Sequence, residues 1–187
     1  MEAFRLSARP ALVVAVLVLT AASLGGCFSD DAPSESGEGG ESPMLDFDGI
    51  EGLRVGKTTF DAANRGMSLV QDGERFDGCV VMTVQSLPGV RTIVVGDRVE
   101  IVELTGSART VRGVGVGSTK ADVGRAHDGR RLQERLNRFS FVEVAVAHSG
   151  EQDPLTLSYV LDERAGLVTR VRAGRASSLQ AYDEGCA

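Results

Sequence analysis

Two glycine-rich segments are the first places where residue spacing could do chemistry, because the backbone N–H groups of such loops can hold a phosphate. Residues 49–58 (GIEGLRVGKT) end in Gly-Lys-Thr. A P-loop requires another glycine at position 51, but Glu51 stands there and its carboxylate would repel a phosphate. Residues 113–117 (GVGVG) lack the G-x-G-x-x-G spacing of dinucleotide-binding loops. We therefore interpret both segments as turns between a strand and a helix.

The histidines and serines do not predict a catalytic or metal site. His127 and His148 are far apart in the sequence, with no cluster of Cys or carboxylate residues at zinc spacing. His127 falls near the end of a predicted helix, where a solvent-exposed histidine is common. Ser177 and Ser178 lack the G-x-S-x-G context of a hydrolase nucleophile. We expect no cofactor, no bound metal and no enzymatic activity.

The N-terminus is typical of an exported protein. Arg5 and Arg9 precede an unbroken apolar run at residues 11–19 (ALVVAVLVL), and small residues follow up to Cys27. With residues up to 24 included, the apolar run is about 14 residues long, and a stable transmembrane helix needs about 20. The pattern predicts a signal peptide at residues 1–26.

The end of this leader resembles the lipobox of bacterial lipoproteins, which is a short apolar and small-residue motif ending in cysteine. The matching residues are Leu24, Gly25, Gly26 and Cys27. The resemblance implies that the chain is cut before Cys27 and that the Cys27 thiol carries a lipid. It also implies an extracytoplasmic protein anchored to the bacterial cell membrane. The alternative is an ordinary secretory signal followed by a coincidental cysteine.

The other two cysteines, Cys79 and Cys186, form an even pair once Cys27 is lipidated. In an oxidising compartment such a pair favours a disulfide. We predict that it ties the C-terminal tail to the first predicted strand of the folded region. The alternative is two buried free thiols.

Residues 27–47 are predicted to be a flexible tether. Residues 28–43 (FSDDAPSESGEGGESP) are acidic, rich in Ser and Gly, and without apolar periodicity, so they cannot bury enough surface to offset the entropy of ordering. The whole chain has a formal net charge of −6. Such a charge argues against nucleic-acid binding, which needs Lys and Arg to neutralise phosphates.

The folded region, predicted at residues 48–187, contains an internal near-repeat at a shift of 61 positions. Residues 52–63 and 113–124 each suggest an extended segment, a glycine turn and the start of a helix. In this alignment Thr58 and Thr119 cap the two helices, and Asp61 and Asp122 lie in the first helical turns, where the helix dipole favours a carboxylate. Duplication is the favoured explanation and chance similarity the alternative. The identical pairs are Gly52 and Gly113, Val55 and Val116, Gly56 and Gly117, Thr58 and Thr119, and Asp61 and Asp122.

Apolar and polar residues alternate after each copy, which predicts antiparallel strands with one buried face. Gly96 and Asp97 form the predicted hairpin turn between strands at residues 91–95 and 99–104. In the second half, residues 140–145, 155–161 and 167–171 are predicted strands, with Leu167, Thr169 and Val171 on one face. Residues 128–139 (DGRRLQERLNRF) place leucines four apart, so we predict an extra helix there.

These patterns predict an α+β fold of two repeats, residues 48–109 and 110–187, with helices on one face of a continuous or paired sheet. Each repeat would be a helix followed by a three-stranded antiparallel meander. Residues 52–63 and 113–127 resemble the BamE/SmpA family of outer-membrane assembly lipoproteins and the β-lactamase-inhibitor-protein fold. The resemblance implies this supersecondary unit and assigns no chemical residues.

We therefore expect a membrane-anchored, non-catalytic module of the cell envelope that binds another protein, as an assembly factor or an inhibitor does. The alternative is a module that binds a small ligand or a peptidoglycan fragment in the groove between the repeats. A spacer with no specific partner is a third interpretation. In each case we expect no nucleic-acid partner.

Overall fold

The computed structural model describes residues 43–73, 75–137, 141–183 and 185–186. This part of the chain forms twelve strands and three helices. The strands are β1 (Met44–Leu45), β2 (Gly49–Ile50), β3 (Leu53–Arg54), β4 (Leu69–Gln71), β5 (Cys79–Val84), β6 (Val90–Val95), β7 (Arg98–Leu104), β8 (Arg109–Thr110), β9 (Leu132–Leu136), β10 (Val142–Ala147), β11 (Leu155–Leu161) and β12 (Val168–Arg175). The helices are α1 (Phe60–Met67), α2 (Lys120–Ala126) and α3 (Ala176–Ala181).

One antiparallel sheet of eight strands dominates the fold, in the order β4-β5-β6-β7-β12-β11-β10-β9. The predicted α+β class with an antiparallel sheet is confirmed. Val171 lies opposite Leu104, so β7 and β12 join the two halves into one continuous sheet. The predicted hairpin at Gly96 and Asp97 is also confirmed, with Gly96 at φ 63° between β6 and β7.

The larger core lies on the face of the sheet covered by α1 and α2. Val80 and Val144 of the sheet are buried there with Ala63 of α1 and Val123 of α2. The segment before α1 also contributes, since Leu45 is fully buried. Burial of such apolar side chains contributes about 1.5–3 kcal/mol each, so this layer supplies much of the stability.

The start of the folded region differs from the prediction of residue 48. Leu45 and Phe47 are buried, and β1 pairs in parallel with β8, Met44 lying opposite Arg109. The sequence prediction missed this because β1 is two residues long and shows no periodicity. The ordered domain therefore begins by Met44.

α1 and α2 lie on one face of the sheet, whereas α3, which was not predicted, packs on the opposite face. Leu179 of α3 is buried with Ile93 and Ile101, in a second cluster that also contains both cysteines, Cys79 and Cys186. Side chains of successive strand residues point to opposite faces, so this cluster lies behind the larger core. The six residues of α3 show too little periodicity to be recognised in the sequence.

The cap prediction holds for α2 and is wrong for α1. Thr119 accepts a hydrogen bond from Asp122 N, and the Asp122 carboxylate accepts one from Thr119 N at 2.7 Å. In α1 the cap is Thr59, which accepts from Ala62 N, whereas Thr58 Oγ1 accepts from Arg54 N at 2.8 Å within the preceding turn. The turn before α1 is one residue longer than the turn before α2. The helix caps are therefore 60 positions apart, whereas the glycines of the two turns are 61 apart.

Each of α1 and α2 is followed by four strands of the large sheet, where three were predicted. The predicted extra helix at residues 128–139 is wrong, because Leu132–Leu136 forms the edge strand β9. Leu132 and Leu136 are four apart, which also fits a strand because the spacing is even. Exposure along β9 leaves no buried face that would have indicated a strand.

A bulge in β12 overturns the predicted buried face of that strand. Val160 pairs with Arg170 and Leu161 with Val168, so Thr169 is an additional residue on β12. Val168 and Val171 are consequently buried, while Leu167 is 37% exposed. Alternation counted through Leu167, Thr169 and Val171 could not predict this insertion.

The described residues contain no helix that could span a membrane. The predicted signal peptide, the lipobox at Cys27 and most of the predicted tether lie outside the described residues.

Candidate functional site

The sheet face that carries α3 also carries a row of charged residues across neighbouring strands, which we call the charged face. Arg91 lies opposite Glu103, and Glu103 lies opposite Arg172. Arg91 Nε donates to Glu103 Oε1 at 3.0 Å. Oppositely charged cross-strand neighbours of this kind stabilise a sheet. The charged face comprises Arg91 on β6, Glu103 on β7, Arg170 and Arg172 on β12, Glu143 on β10 and Arg135 on β9.

Arg172, 1% exposed, fastens the C-terminal tail to the centre of the charged face. Its guanidinium lies 3.5 Å from Glu103 Oε2 and donates to the carbonyls of Tyr182 and Asp183, the latter at 3.1 Å. The positive charge of Arg172 also interacts favourably with the negative C-terminal end of the α3 helix dipole. Burial lowers the pKa of Arg172, while Glu103 and Glu143 act in the opposite direction.

Glu143 forms the other charged centre, towards β9. Arg135 Nε donates to Glu143 Oε2 at 2.7 Å, and the Ser158 hydroxyl donates to Glu143 Oε1. Glu143 is 1% exposed, while the Arg135 side chain is 33% exposed. Both carboxylate oxygens therefore have a donor, as a buried charge requires.

A cavity of about 680 Å³ opens over the part of the charged face that β9, β10 and β11 form. Glu143, Ser158 and Thr156 line it from the sheet, and Leu179 lines it from α3. The segment 148–154 between β10 and β11 forms one wall of the cavity. Arg130, Arg131, Arg135, Gln133 and Glu151 add polar groups of both signs to the lining. A mixed polar and apolar cavity of this size can receive a small ligand or the side chains of a partner's loop.

Segment 148–154 is held at both of its ends. Arg130 NH1 donates to the carbonyls of Ala147 and His148 at 3.1 Å. At the other end, Ser177 N and Ser177 Oγ both donate to the Asp153 carboxylate, at 2.9 and 2.8 Å. These bonds lower the pKa of Asp153. The protein's own hydrogen bonds therefore fix both ends of this wall.

The serines that the sequence singled out have structural partners. Ser177 holds Asp153, and Ser178 Oγ donates to Glu100 Oε2 at 3.0 Å. A serine nucleophile is activated by a hydrogen bond to a base such as histidine, and neither hydroxyl has such a bond to histidine.

The expectation of a solvent-exposed His127 is wrong, because its ring is only 1% exposed. His127 Nε2 lies 2.7 Å from the Tyr159 hydroxyl oxygen. Burial lowers the pKa of His127 to about 4, and the positive charges of Arg112 and Arg130 act in the same direction. Burial also raises the pKa of Tyr159.

Phe47 brings both histidines into one neighbourhood, although they are far apart in the sequence. Its ring centroid is 6.1 Å from that of His127 and 5.1 Å from that of His148. The Arg130 guanidinium lies 5.0 Å above the same ring, in a cation–π contact. Among the described residues, no group of three or more His, Cys, Asp or Glu could hold a metal ion.

Cys79 and Cys186 lie on the same side of the sheet as the charged face and are joined as a disulfide, with their Cα atoms 5.4 Å apart. The bond links β5 to the tail that Arg172 also holds. Cys79 begins β5, which is the strand predicted as the first after the helix, and β4 before it was not predicted.

The repeat residues shape turns and helix starts and do not line the cavity. Gly56 and Gly117 have φ of 67° and 85°, a conformation that glycine adopts without strain. Asp122 completes the cap of α2, whereas Asp61 lies in the first turn of α1 without a corresponding bond to Thr59. These residues belong to two separate helix starts.

Sequence reasoning missed the charged face, although its residues were visible. Glu143 alternates with Val142 and Val144, a pattern that predicts a solvent-exposed glutamate. It is buried between Arg135 of β9 and Ser158 of β11, which alternation within one strand cannot reveal. Arg172 offered a weak clue, since two arginines flank Val171 in a predicted strand.

Comparison with known proteins yields no relative for this chain: no protein-family model, curated protein or solved structure matches it.

Proposed function

We propose that this chain is a lipid-anchored, non-catalytic module of the bacterial cell envelope that binds a protein partner at the cavity over β9–β11. The observation that carries the proposal is the prebuilt cavity itself. Its wall is fastened by Asp153 and Arg130, and its charged group Glu143 is already neutralised by Arg135. A site fixed in advance loses little entropy when a partner's loop enters.

Site-specific photocrosslinking in the native cell tests this proposal. A photoreactive residue replaces Arg131, which is exposed and lines the cavity, or Arg65, which is exposed on α1. We expect one discrete adduct with another protein from position 131 and none from the matched position 65. No adduct at 131, or the same adduct from both positions, would overturn the proposal.

We also propose the lipid anchor at Cys27, which the lipobox supports. The chain should incorporate a radiolabelled fatty acid, and Cys27→Ser should abolish the label. Cys79→Ser is the matched control, because it removes another cysteine and leaves the lipobox intact. Label that persists in Cys27→Ser would overturn the proposal.

We propose further that the two halves are tandem copies of one unit, as in the β-lactamase-inhibitor-protein fold. Corresponding hydrogen bonds support this. Gly56 N donates to Val99 O at 2.7 Å, and Gly117 N donates to Val168 O at 2.8 Å. The symmetric strand order, with β7 and β12 at the centre, also supports it. The copies are offset by 61 positions at Gly56 and by 60 at the Thr59 and Thr119 caps.

Binding of a small ligand is the second candidate, favoured by the volume of the cavity. About 680 Å³ lies within the range of roughly 300–1,000 Å³ common for small-molecule sites. The cavity lies over the strands of the second repeat. Between the two repeats, α3 and the tail cover the charged face. A peptidoglycan fragment that raises the melting temperature of the native chain, but not that of Ser158→Trp, would support this function. No shift with a panel of such fragments would count against it.

A further inference from the structure

A cluster of arginines surrounds a second, shallower hollow of about 700 Å³, which shares no lining residue with the cavity over β9–β11. Arg109, Arg112 and Arg125 line it, and all three are exposed. Asp122 is the acidic residue in its lining and is paired with Arg125. The hollow therefore has a positive excess on a chain whose formal net charge is −6.

Two apolar side chains lie beside these arginines. Met44 is 52% exposed and Val111 is 50% exposed. Met44 lies opposite Arg109 in the β1–β8 pair, and Val111 N donates to Leu45 O at 3.0 Å. Thr110 between the exposed residues is fully buried, which fixes Arg109 and Val111 at the surface.

The position of this surface follows from where the described chain begins. Pro43 lines a pocket with Met44 and Val111, so the segment that leads back to Cys27 enters the fold beside them. A lipid on Cys27 would keep this end of the fold within one tether length of the bilayer. Such tethering raises the local concentration of the groups that make a weak second contact.

We propose that Arg109, Arg112 and Arg125, with Met44 and Val111, form a contact surface for anionic phospholipid headgroups. The guanidinium groups bind headgroup phosphates, and the two apolar side chains enter the interfacial layer. A cluster of basic residues close to a lipid anchor is a common second membrane contact. This inference rests on the proposed lipid anchor, and it adds an orientation of the domain on the membrane.

Hydrogen exchange of the mature, lipidated chain on vesicles tests the surface. Vesicles of phosphatidylcholine are compared with vesicles that also contain phosphatidylglycerol. We expect slower exchange at residues 107–113 on the anionic vesicles only, with no change in α1. Equal exchange on both kinds of vesicle would overturn the proposal.

Charge variants separate headgroup binding from a folding defect. Arg109→Glu/Arg112→Glu should abolish the protection, and Arg109→Lys/Arg112→Lys should keep most of it. The lysine pair retains the charge but loses the guanidinium bonds to Gly113 O and Ala126 O. Loss of protection in both pairs would show a structural role and contradict the proposal.

Flotation distinguishes failure of the anchor from failure of the surface. A lipidated chain floats with both kinds of vesicle, whatever its arginines do. If the chain proves not to be lipidated, flotation with anionic vesicles alone still supports the surface, and it should weaken by on the order of tenfold in the glutamate pair. Flotation with neither kind of vesicle would overturn both proposals.

Discussion

His127 combines burial with a titratable ring, and this makes it a source of acid sensitivity. The ring is held in its neutral form between Tyr159, which bonds Nε2, and two nearby arginines that disfavour a second positive charge. An unfolded histidine has a pKa near 6.5 and binds a proton that the folded one resists. Acid therefore favours the unfolded chain through this residue.

We expect the free energy of unfolding to fall by about 2–3 kcal/mol between pH 6.5 and pH 4, because only the unfolded state protonates His127 in that range. Below pH 4 both states bind the proton, so the loss of stability due to His127 reaches its full value and increases no further. Urea titrations at a series of pH values measure it. His127→Gln should flatten the profile in this window, and an unchanged slope would contradict the assignment.

Arg172 and Arg91 allow a matched comparison on the charged face. Both contact Glu103, but the Arg172 side chain is 1% exposed and that of Arg91 is 34% exposed. We expect Arg172→Met to cost about 3 kcal/mol, because it removes a buried ion-pair partner and the donors to the tail. Arg91→Met should cost about 1 kcal/mol or less. Chemical denaturation measures both, and equal losses would contradict the central role of Arg172.

At the level of elements, the long strands and the helix starts follow from local sequence. The Gly96 hairpin, β11 and the α2 cap could be predicted because their residues lie next to one another in the chain. The edge strand β9, the bulge at Thr169 and helix α3 could not, since distant segments decide them. Asp153, for instance, caps α3 from more than twenty residues away.

The two helix starts differ in a way that mutation should reveal. Thr119→Ala should lower the free energy of unfolding by about 1 kcal/mol, because it removes a reciprocal cap. Thr59→Ala should cost less, since its bond from Ala62 N is 3.4 Å long. Denaturant midpoints report both effects.

Asp61→Ala provides the control for this comparison. It is an exposed substitution in the same turn and should change stability by no more than about 0.5 kcal/mol. If Asp61→Ala lowered the free energy of unfolding as much as Thr119→Ala does, Asp61 would take part in a helix cap. That result would favour the predicted alignment, in which Asp61 and Asp122 are equivalent.

At the level of the whole molecule, the chain end completes the fold. The tail crosses the charged face, and Arg172 and the bond between Cys79 and Cys186 hold it there. The pairing could be inferred from the count of cysteines, whereas the charged face that the tail covers could not. Closing a loop across 107 positions restricts the unfolded chain far more than the folded one.

We expect the double variant Cys79→Ser/Cys186→Ser to lose about 4–5 kcal/mol of stability, as the chain-entropy relation gives for such a loop. Reduced wild-type protein should behave like the double variant. Intact mass after alkylation without reductant should show no alkylated Cys79 or Cys186. Two alkylated thiols there would show that the native protein lacks the bond.

The edge strand β9 has a consequence for proteins that crowd together on one surface. An edge strand offers backbone groups to any passing strand and so invites aggregation. Leu132 and Leu136 at its ends are 36% and 67% exposed, which increases that risk. Between them lie Glu134, paired with Lys120, and Arg135, paired with Glu143. These central charges oppose edge-to-edge stacking of neighbouring copies, so loss of the exposed Glu134–Lys120 pair would endanger solubility before it affected folding.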